Sequence, residues 1–420
     1  MELLQNYGTI LIVITAVFAF FMAFGVGAND VSNAMGTSVG SGTITAKQAI
    51  IIALIFEASG AYLAGGEVTE TIKSGIINPT DFITEPETLV FGMMASLFAS
   101  GCWLLIASRW GWPVSTTHSI VGAIIGFACI TAGGGAVKWG AITGIVGSWF
   151  ITPFIAGILA YLIFYITQKL IFDTESPLRN AQKYGPYFMG LTVFIVAIVT
   201  VSKGLKHVGL NLTLQQTLAI SLTLSIISGI ISHFYFRSKN FINKVRKGAF
   251  GGVEHIFSIL MLMTACAMAF AHGSNDVANA IGPLASVVTI IENGGNISAV
   301  TPNAWWVLPL GAAGIALGLI VMGYKVMATI GTGITDLTPS RGFAAQFATA
   351  ATVVVASGTG LPISTTQTLV GAVLGIGFAR GIAALNLNVI RNIVVSWVVT
   401  LPAGAFFAII IYYCLDAIFR

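Results

Sequence analysis

The stretch GVGANDVSNA, residues 25–34, follows the apolar run LIVITAVFAFFMAF, residues 11–24, and places an acid in a segment otherwise suited to a membrane. A charged side chain near the middle of a bilayer costs about 3 kcal/mol or more, so such a residue normally marks an ion or substrate path. The stretch AHGSNDVANA, residues 271–280, repeats the same phrase. A duplicated acid of this kind indicates a functional site.

The composition identifies the class of protein. The chain has 420 residues, of which 56% are hydrophobic and 8% charged, whereas soluble domains carry about 25% charged residues. Because about 20 apolar residues cross a bilayer as a helix, we predict an all-α polytopic membrane protein with about 12 transmembrane helices. We expect breaks at 25–30 and 273–276. The predicted spans are 9–40, 46–66, 89–107, 113–130, 139–166, 186–203, 211–236, 254–290, 304–324, 342–358, 362–380 and 388–416.

One basic loop orients the chain. The segment RSKNFINKVRKG, residues 237–248, contains five Lys and Arg residues and no acid, so the positive-inside rule places it in the cytoplasm. Seven predicted spans precede this loop and twelve are predicted in all. We therefore expect both termini to lie outside the cell. We expect the protein to reside in the plasma membrane.

Internal repetition predicts the domain organisation. Asp276 follows Asp30 by 246 residues, and PISTTQTLVGAVLG from Pro362 follows PVSTTHSIVGAIIG from Pro113 by 249 residues. An odd number of spans separates the copies, so they should enter the membrane from opposite faces. Such inverted-topology repeats with broken helices are typical of secondary transporters. We predict a first repeat over 1–166, connecting helices and the basic cytoplasmic loop over 167–253, and a second repeat over 254–420.

The GAND and GSND phrases predict a cation site. Small residues allow the backbone to leave helical geometry, and carbonyl, amide and carboxylate oxygens are ligands for small hard cations. Glu57, a lone acid inside a span, is a further cation or proton site, or else a polar helix contact. A simpler interpretation of the phrases is that Asn and Asp cap the following helix. The candidate ligands are Ala28, Asn29, Asp30, Glu57, Ser274, Asn275 and Asp276.

The PVSTT and PISTT phrases predict an anion site. Proline suits the first turn of a helix, and the free amides at a helix N-terminus attract anions. Six hydroxyls in one cavity favour a tetrahedral oxyanion, although Ser and Thr also cap helices or join neighbouring ones. The candidate substrate ligands are Ser115, Thr116, Thr117, Ser364, Thr365 and Thr366, with Asp30 and Asp276. Because these aspartates would repel an anion, bound cations or protons are required, which predicts symport.

The paired GANDVSNA and GSNDVANAIGP, with the paired PVSTTH and PISTTQ, resemble the inorganic phosphate transporter (PiT) family. The resemblance spans nearly the whole chain. It implies an inverted-repeat carrier that moves phosphate with sodium or protons between its halves, and it implies a role for Glu57, which matches a family glutamate. Two positions depart from the family pattern: Gln346 stands where many relatives have Glu, and Gln367 where His is frequent.

The sequence therefore predicts import of inorganic phosphate by sodium symport, with sodium as the coupling ion and no other cofactor. A proton-coupled phosphate carrier, a sulfate carrier and an ion channel stay open as alternatives. An enzyme is not expected, since no nucleophile with a positioned base is apparent. The expected partners are phosphate, sodium and the lipid bilayer, without nucleic acid, and a homodimer is left open. His118 and His272 adjoin the motifs and are open between packing and function.

Overall fold

A computed structural model describes residues 2–204, 212–238, 241, 249–297, 304–333, 337–381 and 385–420. Within these residues the chain is helical, apart from loops and one isolated bridge between Ile77 and Val137. The α-helices are α1 (Glu2–Val26), α2 (Ser32–Gly40), α3 (Ala46–Ala64), α4 (Gly66–Glu70), α5 (Pro86–Arg109), α6 (Thr116–Thr131), α7 (Trp139–Thr167), α8 (Pro177–Val199), α9 (Leu214–Arg237), α10 (Ala249–Glu292), α11 (Val307–Gly333), α12 (Pro339–Gly358), α13 (Thr365–Arg380) and α14 (Leu387–Phe419).

The predicted helices are confirmed. Each of the predicted apolar spans contains a helix, and nine helical segments of the described chain are long and apolar enough to cross a membrane. The apolar helix α6 is shorter, at 16 residues. Of the basic loop, Arg237 ends α9, whereas Lys239, Lys244, Arg246 and Lys247 lie outside the described residues.

Four of the predicted spans form two helical hairpins. Helices α5 and α6 pack together, as do α12 and α13. The tips that join them, at Val114 and Ile363, are fully buried. Thr117 Oγ1 donates to the Ile363 carbonyl at 2.9 Å and Thr366 Oγ1 donates to the Val114 carbonyl at 3.3 Å. The two hairpin tips therefore meet in the interior, each bonded to the other.

The predicted helix break at 273–276 is wrong, because α10 continues as an α-helix through these residues. The break predicted at 25–30 is a single π-helical turn, Gly27–Val31, between α1 and α2. The glycines serve helix packing instead. A Cβ on Gly273 would overlap the carbonyl oxygen of Glu57, and a Cβ on Gly27 would overlap that of Ile315.

These backbone contacts occur at two helix crossings, α10 against α3 and α1 against α11. The partner helices also need glycine, since a Cβ on Gly60 would overlap the Phe270 carbonyl and one on Gly318 would overlap the Phe24 carbonyl. Small residues allow helices to approach closely in a membrane. The close crossings hold both aspartate-bearing segments, 27–31 and 273–276, in the buried centre of the molecule.

Candidate functional site

The two aspartates and the two STT motifs converge at the hairpin tips. Asp30 is 2% exposed and Asp276 is fully buried. Thr116 Oγ1 donates to Asp30 Oδ2 at 2.5 Å, and Thr365 Oγ1 donates to Asp276 Oδ2 at the same distance. Thr366 Oγ1 also donates to Asp30 Oδ1, at 3.1 Å, from the other half of the chain. Side chains from both halves of the sequence thus share one carboxylate.

Asn29 and Asn275 tie each aspartate-bearing segment to a hairpin. Each side-chain amide donates to a serine hydroxyl at the end of the first hairpin arm and to a backbone carbonyl in the tip, over 2.8–3.2 Å. The partners are Ser108 and Trp112 for Asn29, and Ser357 and Leu361 for Asn275. Neither amide caps the following helix, since the π-turn lacks a side-chain cap and α10 is continuous.

Sequence reasoning missed the two serines. The repeat extends toward the N-terminus as ASRWGWPVSTT, residues 107–117, and ASGTGLPISTT, residues 356–366. Ser108 and Ser357 occupy the same place in both copies. Extending the comparison by six residues upstream of each proline would have found them.

The capping interpretation is confirmed for the serines of the STT motifs. Ser115 Oγ accepts the amide of His118, and Ser364 Oγ accepts the amide of Gln367, each at 3.2 Å. Both serines are 1% exposed. Because a hydroxyl can accept one hydrogen bond and donate another, each serine keeps its O–H as a donor at a helix N-terminus.

His272 connects two acids. Its Nδ1 lies 3.1 Å from Glu57 Oε1 and its Nε2 lies 2.9 Å from Asp276 Oδ2, and all three side chains are buried. The sequence left His272 open between packing and function, and the structure places its ring between Glu57 and Asp276. One ligand atom each from Asp30, His272 and Asp276 lies within 4.8 Å of the others. The two carboxylates supply oxygen ligands of the kind that hard cations take.

Asn279 is a further site residue that the motif analysis passed over. Its Nδ2 donates to Thr116 Oγ1 at 3.1 Å and to Thr117 Oγ1 at 3.2 Å, so it joins α10 to the first STT motif. The signal was present, since DVSNA and DVANA place an asparagine three residues after each aspartate, at Asn33 and Asn279.

Two predicted ligands make local helix contacts. The Ala28 carbonyl accepts Ser32 Oγ at 3.0 Å. Ser274 Oγ donates to the Ala271 carbonyl at 2.6 Å and lies 3.0 Å from Ser357 Oγ. These bonds belong to helix packing, and either oxygen would have to share or exchange a partner to bind a cation.

The remaining singled-out residues lie at the edge of the site or beyond it. The His118 ring packs on Trp149 with centroids 3.8 Å apart. Gln346 is fully buried in a separate polar cluster between α2, α10 and α12, where its amide nitrogen donates to Thr37 Oγ1 at 2.8 Å and Ser38 Oγ at 2.6 Å. Its Oε1 accepts Thr264 Oγ1 at 3.1 Å.

The centre is acidic, and the imidazole of His272 lies between two of its carboxylates. No lysine or arginine of the described residues is buried, whereas Asp30, Glu57 and Asp276 are. Isolated buried charges are strongly unfavourable unless they are paired or coordinate an ion. The arrangement therefore suits a mobile cation together with an anion that takes hydroxyl donors.

Residues 26–408 match the model of a phosphate transporter family. A putative phosphate permease of Haemophilus influenzae is 73% identical over 420 residues and covers all of both chains. The chloroplastic inorganic phosphate transporter 2-1 of Arabidopsis thaliana is 41% identical over 418 residues, covering 94% of this chain and 70% of that protein. The solved structure of a sodium-dependent phosphate transporter is similar with a TM-score of 0.90 and 39% identity, over 97% of this chain and 99% of that one.

Proposed function

The chain belongs to the phosphate transporter family, and we propose from this premise that it imports inorganic phosphate by sodium symport. Its family is one of multi-pass membrane transport proteins and not of enzymes. Sodium as the coupling ion is supported by the sodium dependence of the structurally similar transporter and by the oxygen-rich acidic centre.

The observation that carries this proposal is the bonding of the STT hydroxyls to the aspartates. Thr116, Thr365 and Thr366 donate to Asp30 or Asp276, so the donors that would hold an anion are engaged by carboxylates. A cation on these carboxylates competes for the same oxygen lone pairs and offsets their charge. The hydroxyls can then turn toward phosphate. Sodium thereby makes phosphate binding favourable, which is the coupling that a symporter needs.

In this proposal phosphate binds between the two hairpin tips. Its donors are the six STT hydroxyls and the N-termini of α6 and α13, whose dipoles favour an anion. Sodium bridges Asp30 and Asp276 to phosphate, with the Asn29 and Asn275 amides and Glu57 as neighbouring ligands. The carbonyl of Ala28 and the hydroxyl of Ser274 are additional ligands only if their helix contacts rearrange.

We propose two inverted repeats, over 1–166 and 254–420, joined by 167–253. Contacts that recur at one offset support the repeat, since Ser108 and Trp112 match Ser357 and Leu361 at 249 residues. If neither hairpin crosses the membrane, five crossings precede α10. Five is an odd number, as is the count of seven predicted from the sequence, so the second repeat would enter the membrane from the opposite face in either case. We propose that the two repeats are inverted, that both termini lie outside the cell and that the protein resides in the plasma membrane, where a homodimer is its predicted assembly.

Uptake of radiolabelled phosphate into proteoliposomes tests the proposal. Sodium and proton gradients are imposed separately, and sulfate is added as a competitor. We expect uptake with an inward sodium gradient and little with a proton gradient. Uptake driven by protons alone, or inhibited by sulfate as strongly as by phosphate, would assign a different coupling ion or substrate. Flux far above carrier turnover would indicate a channel.

Replacing Thr116 or Thr365 with Val should weaken phosphate binding. The change keeps the shape of the side chain and removes a hydroxyl, and a lost hydrogen bond to a charged group corresponds to about tenfold in affinity. Phosphate titrations at saturating sodium, followed by calorimetry, measure the effect. The matched control is Thr223→Val on the exposed face of α9, which should bind as the wild type does. Unchanged affinity in both site variants would place phosphate elsewhere.

Replacing Glu57 with Gln should change the sodium dependence more than phosphate binding. Glu57 contacts His272 and not the STT hydroxyls, so losing its charge weakens the attraction for the cation. We expect the sodium concentration for half-maximal uptake to rise about fivefold, which corresponds to about 1 kcal/mol, with phosphate affinity at saturating sodium nearly constant. Glu175→Gln, in an exposed loop, is the control. Wild-type sodium dependence in Glu57→Gln would assign Glu57 to helix packing.

A further inference from the structure

Away from the aspartates, hydrogen bonds of Gln346 join α12 to α2 and α10. Its amide nitrogen donates to the Ala34 carbonyl at 3.2 Å, to Thr37 Oγ1 at 2.8 Å and to Ser38 Oγ at 2.6 Å. Its Oε1 accepts Thr264 Oγ1 at 3.1 Å. These four side chains, of Thr37, Ser38, Thr264 and Gln346, are fully buried and uncharged, and we call them the polar layer.

The other half of the repeat carries apolar residues at the same places. The offsets of 246 and 249 residues that relate the repeated motifs pair Thr264 with Phe18, Ser38 with Leu284 and Gln346 with Leu97. These three partners lie in or against one hydrophobic cluster, and the rings of Phe18 and Phe98 have centroids 4.6 Å apart. The two sides of the candidate site are therefore closed by different chemistry, one by hydrogen bonds and the other by apolar packing.

The polar layer lies on the side of the site that faces the cytoplasm in the proposed topology. Gln346 precedes Ser357 by 11 residues on α12, and Ser38 follows Asp30 by 8 residues, so the layer lies about 12–16 Å from the hairpin tip. The N-terminus of α10, on this side, follows the basic loop 237–248 that the positive-inside rule places in the cytoplasm. Since α2 belongs to the first repeat and α12 to the second, the layer crosses the boundary between the halves.

We infer that the polar layer is the cytoplasmic gate of the phosphate path and that Gln346 is the residue that closes it. The inference rests on the proposed import of phosphate. When α2 and α12 separate, the amide and its hydroxyl partners exchange their bonds to one another for bonds to water. Because the net contribution of such a bond is only about 1 kcal/mol, this boundary can open and close readily. Uncharged donors and acceptors also allow phosphate and its cations to pass without holding either.

Thiol labelling of two matched positions tests the gate. Thr349 lies one turn closer to the hairpin tip than Gln346, and Ser100 occupies the same place in the first repeat, 249 residues earlier. Both side chains are fully buried. Thr349→Cys and Ser100→Cys are each introduced into the full-length protein, and a membrane-impermeant maleimide is added to right-side-out and inside-out vesicles. In these proteins alanine replaces the native cysteines Cys102, Cys129, Cys266 and Cys414.

Gln346→Leu, which copies Leu97 of the other half, should open the gate. Labelling of Thr349→Cys from the cytoplasmic side should become about tenfold faster, because the closed state loses the hydrogen bonds of the amide. Ser38→Ala, a smaller change that removes one acceptor, should give about threefold. The matched control is Gln182→Leu on α8, where the amide donates to the Phe236 carbonyl at 2.9 Å. This variant should label as the parent protein does.

Labelling of Ser100→Cys from the outside should not rise in Gln346→Leu, since only the cytoplasmic side is released. Unchanged labelling of Thr349→Cys in both Gln346→Leu and Ser38→Ala overturns the gate. An equal rise at both probes shows general loosening of the protein and overturns it too, as does reaction of Thr349→Cys from the outside alone. The labelling needs neither sodium nor phosphate, so its failure is distinct from a failure of the proposed function, which uptake into proteoliposomes tests.

Discussion

Sodium-driven phosphate uptake should collapse when Asp30 or Asp276 is replaced with Asn. The amide keeps an oxygen ligand and nearly the same volume, but it loses the charge that attracts the cation. The attraction between a carboxylate and a cation about 4 Å away is about 4 kcal/mol at an effective dielectric constant near 20, so cation binding, and with it the initial rate, should fall at least about a hundredfold. Uptake into proteoliposomes under a fixed sodium gradient measures this, and Asp81→Asn at the exposed surface is the control.

The same substitutions should act on phosphate with the opposite sign. A carboxylate about 4 Å from an anion repels it by about 4 kcal/mol at an effective dielectric constant near 20. Without that charge, residual phosphate binding should depend less on sodium. Calorimetric phosphate titrations at several sodium concentrations would show a flattened dependence. If wild-type binding ignores sodium and strengthens as the pH falls, the aspartates carry protons, and the site residues survive while the coupling ion is wrong.

From the sequence, the residues of the candidate site are predicted more accurately than the backbone conformation around them. Duplicated acids and hydroxyls in apolar segments identify Asp30, Asp276 and the STT motifs, because such groups are too unfavourable in a membrane to recur by chance. The structure brings them within hydrogen-bonding distance. The helical segments follow equally from hydropathy, since length and apolar content alone define them.

Residues that act through long-range contacts were harder to predict. Asn279 contacts Thr116, which lies 163 positions away in the sequence, and no local sequence pattern predicts this contact. His272 belongs to the candidate site because α10 crosses α3, where Glu57 contacts the His272 ring. Hydropathy also does not predict that two apolar spans pair as a hairpin with a buried tip, because this pairing depends on tertiary contacts.

The glycines of the repeated phrases misled the sequence interpretation for a physical reason. Glycine permits a helix to break and also permits two helices to touch, and composition does not distinguish these uses. In AHGSNDVANA the second use prevails, because Gly273 lies against the Glu57 carbonyl while its own helix continues.

Replacing Gly273 with Ala should abolish most sodium-driven uptake and destabilise the protein. The new Cβ would overlap a backbone carbonyl, which cannot rotate away as a side chain can, so α3 and α10 must separate. Overpacking of this kind costs about 1–3 kcal/mol. The overlapped carbonyl belongs to Glu57, so separation also draws its carboxylate away from His272. Thermal unfolding of purified protein and initial uptake rates measure the two effects.

Gly144→Ala on α7 is the matched control, because a Cβ there would meet no atom within 4 Å, and alanine favours a helix over glycine. It should transport as well as the wild type and unfold at the same temperature or higher. The sodium dependence of Gly273→Ala distinguishes a purely structural role of the crossing from a role in positioning Glu57. If Gly273→Ala only loses stability, the crossing is structural. If its surviving molecules also require more sodium, as expected for Glu57→Gln, the close crossing sets the position of the acid that attracts the cation. Full stability with wild-type sodium dependence would show that the helices have room to spare at this crossing and that Gly273 is not needed for it.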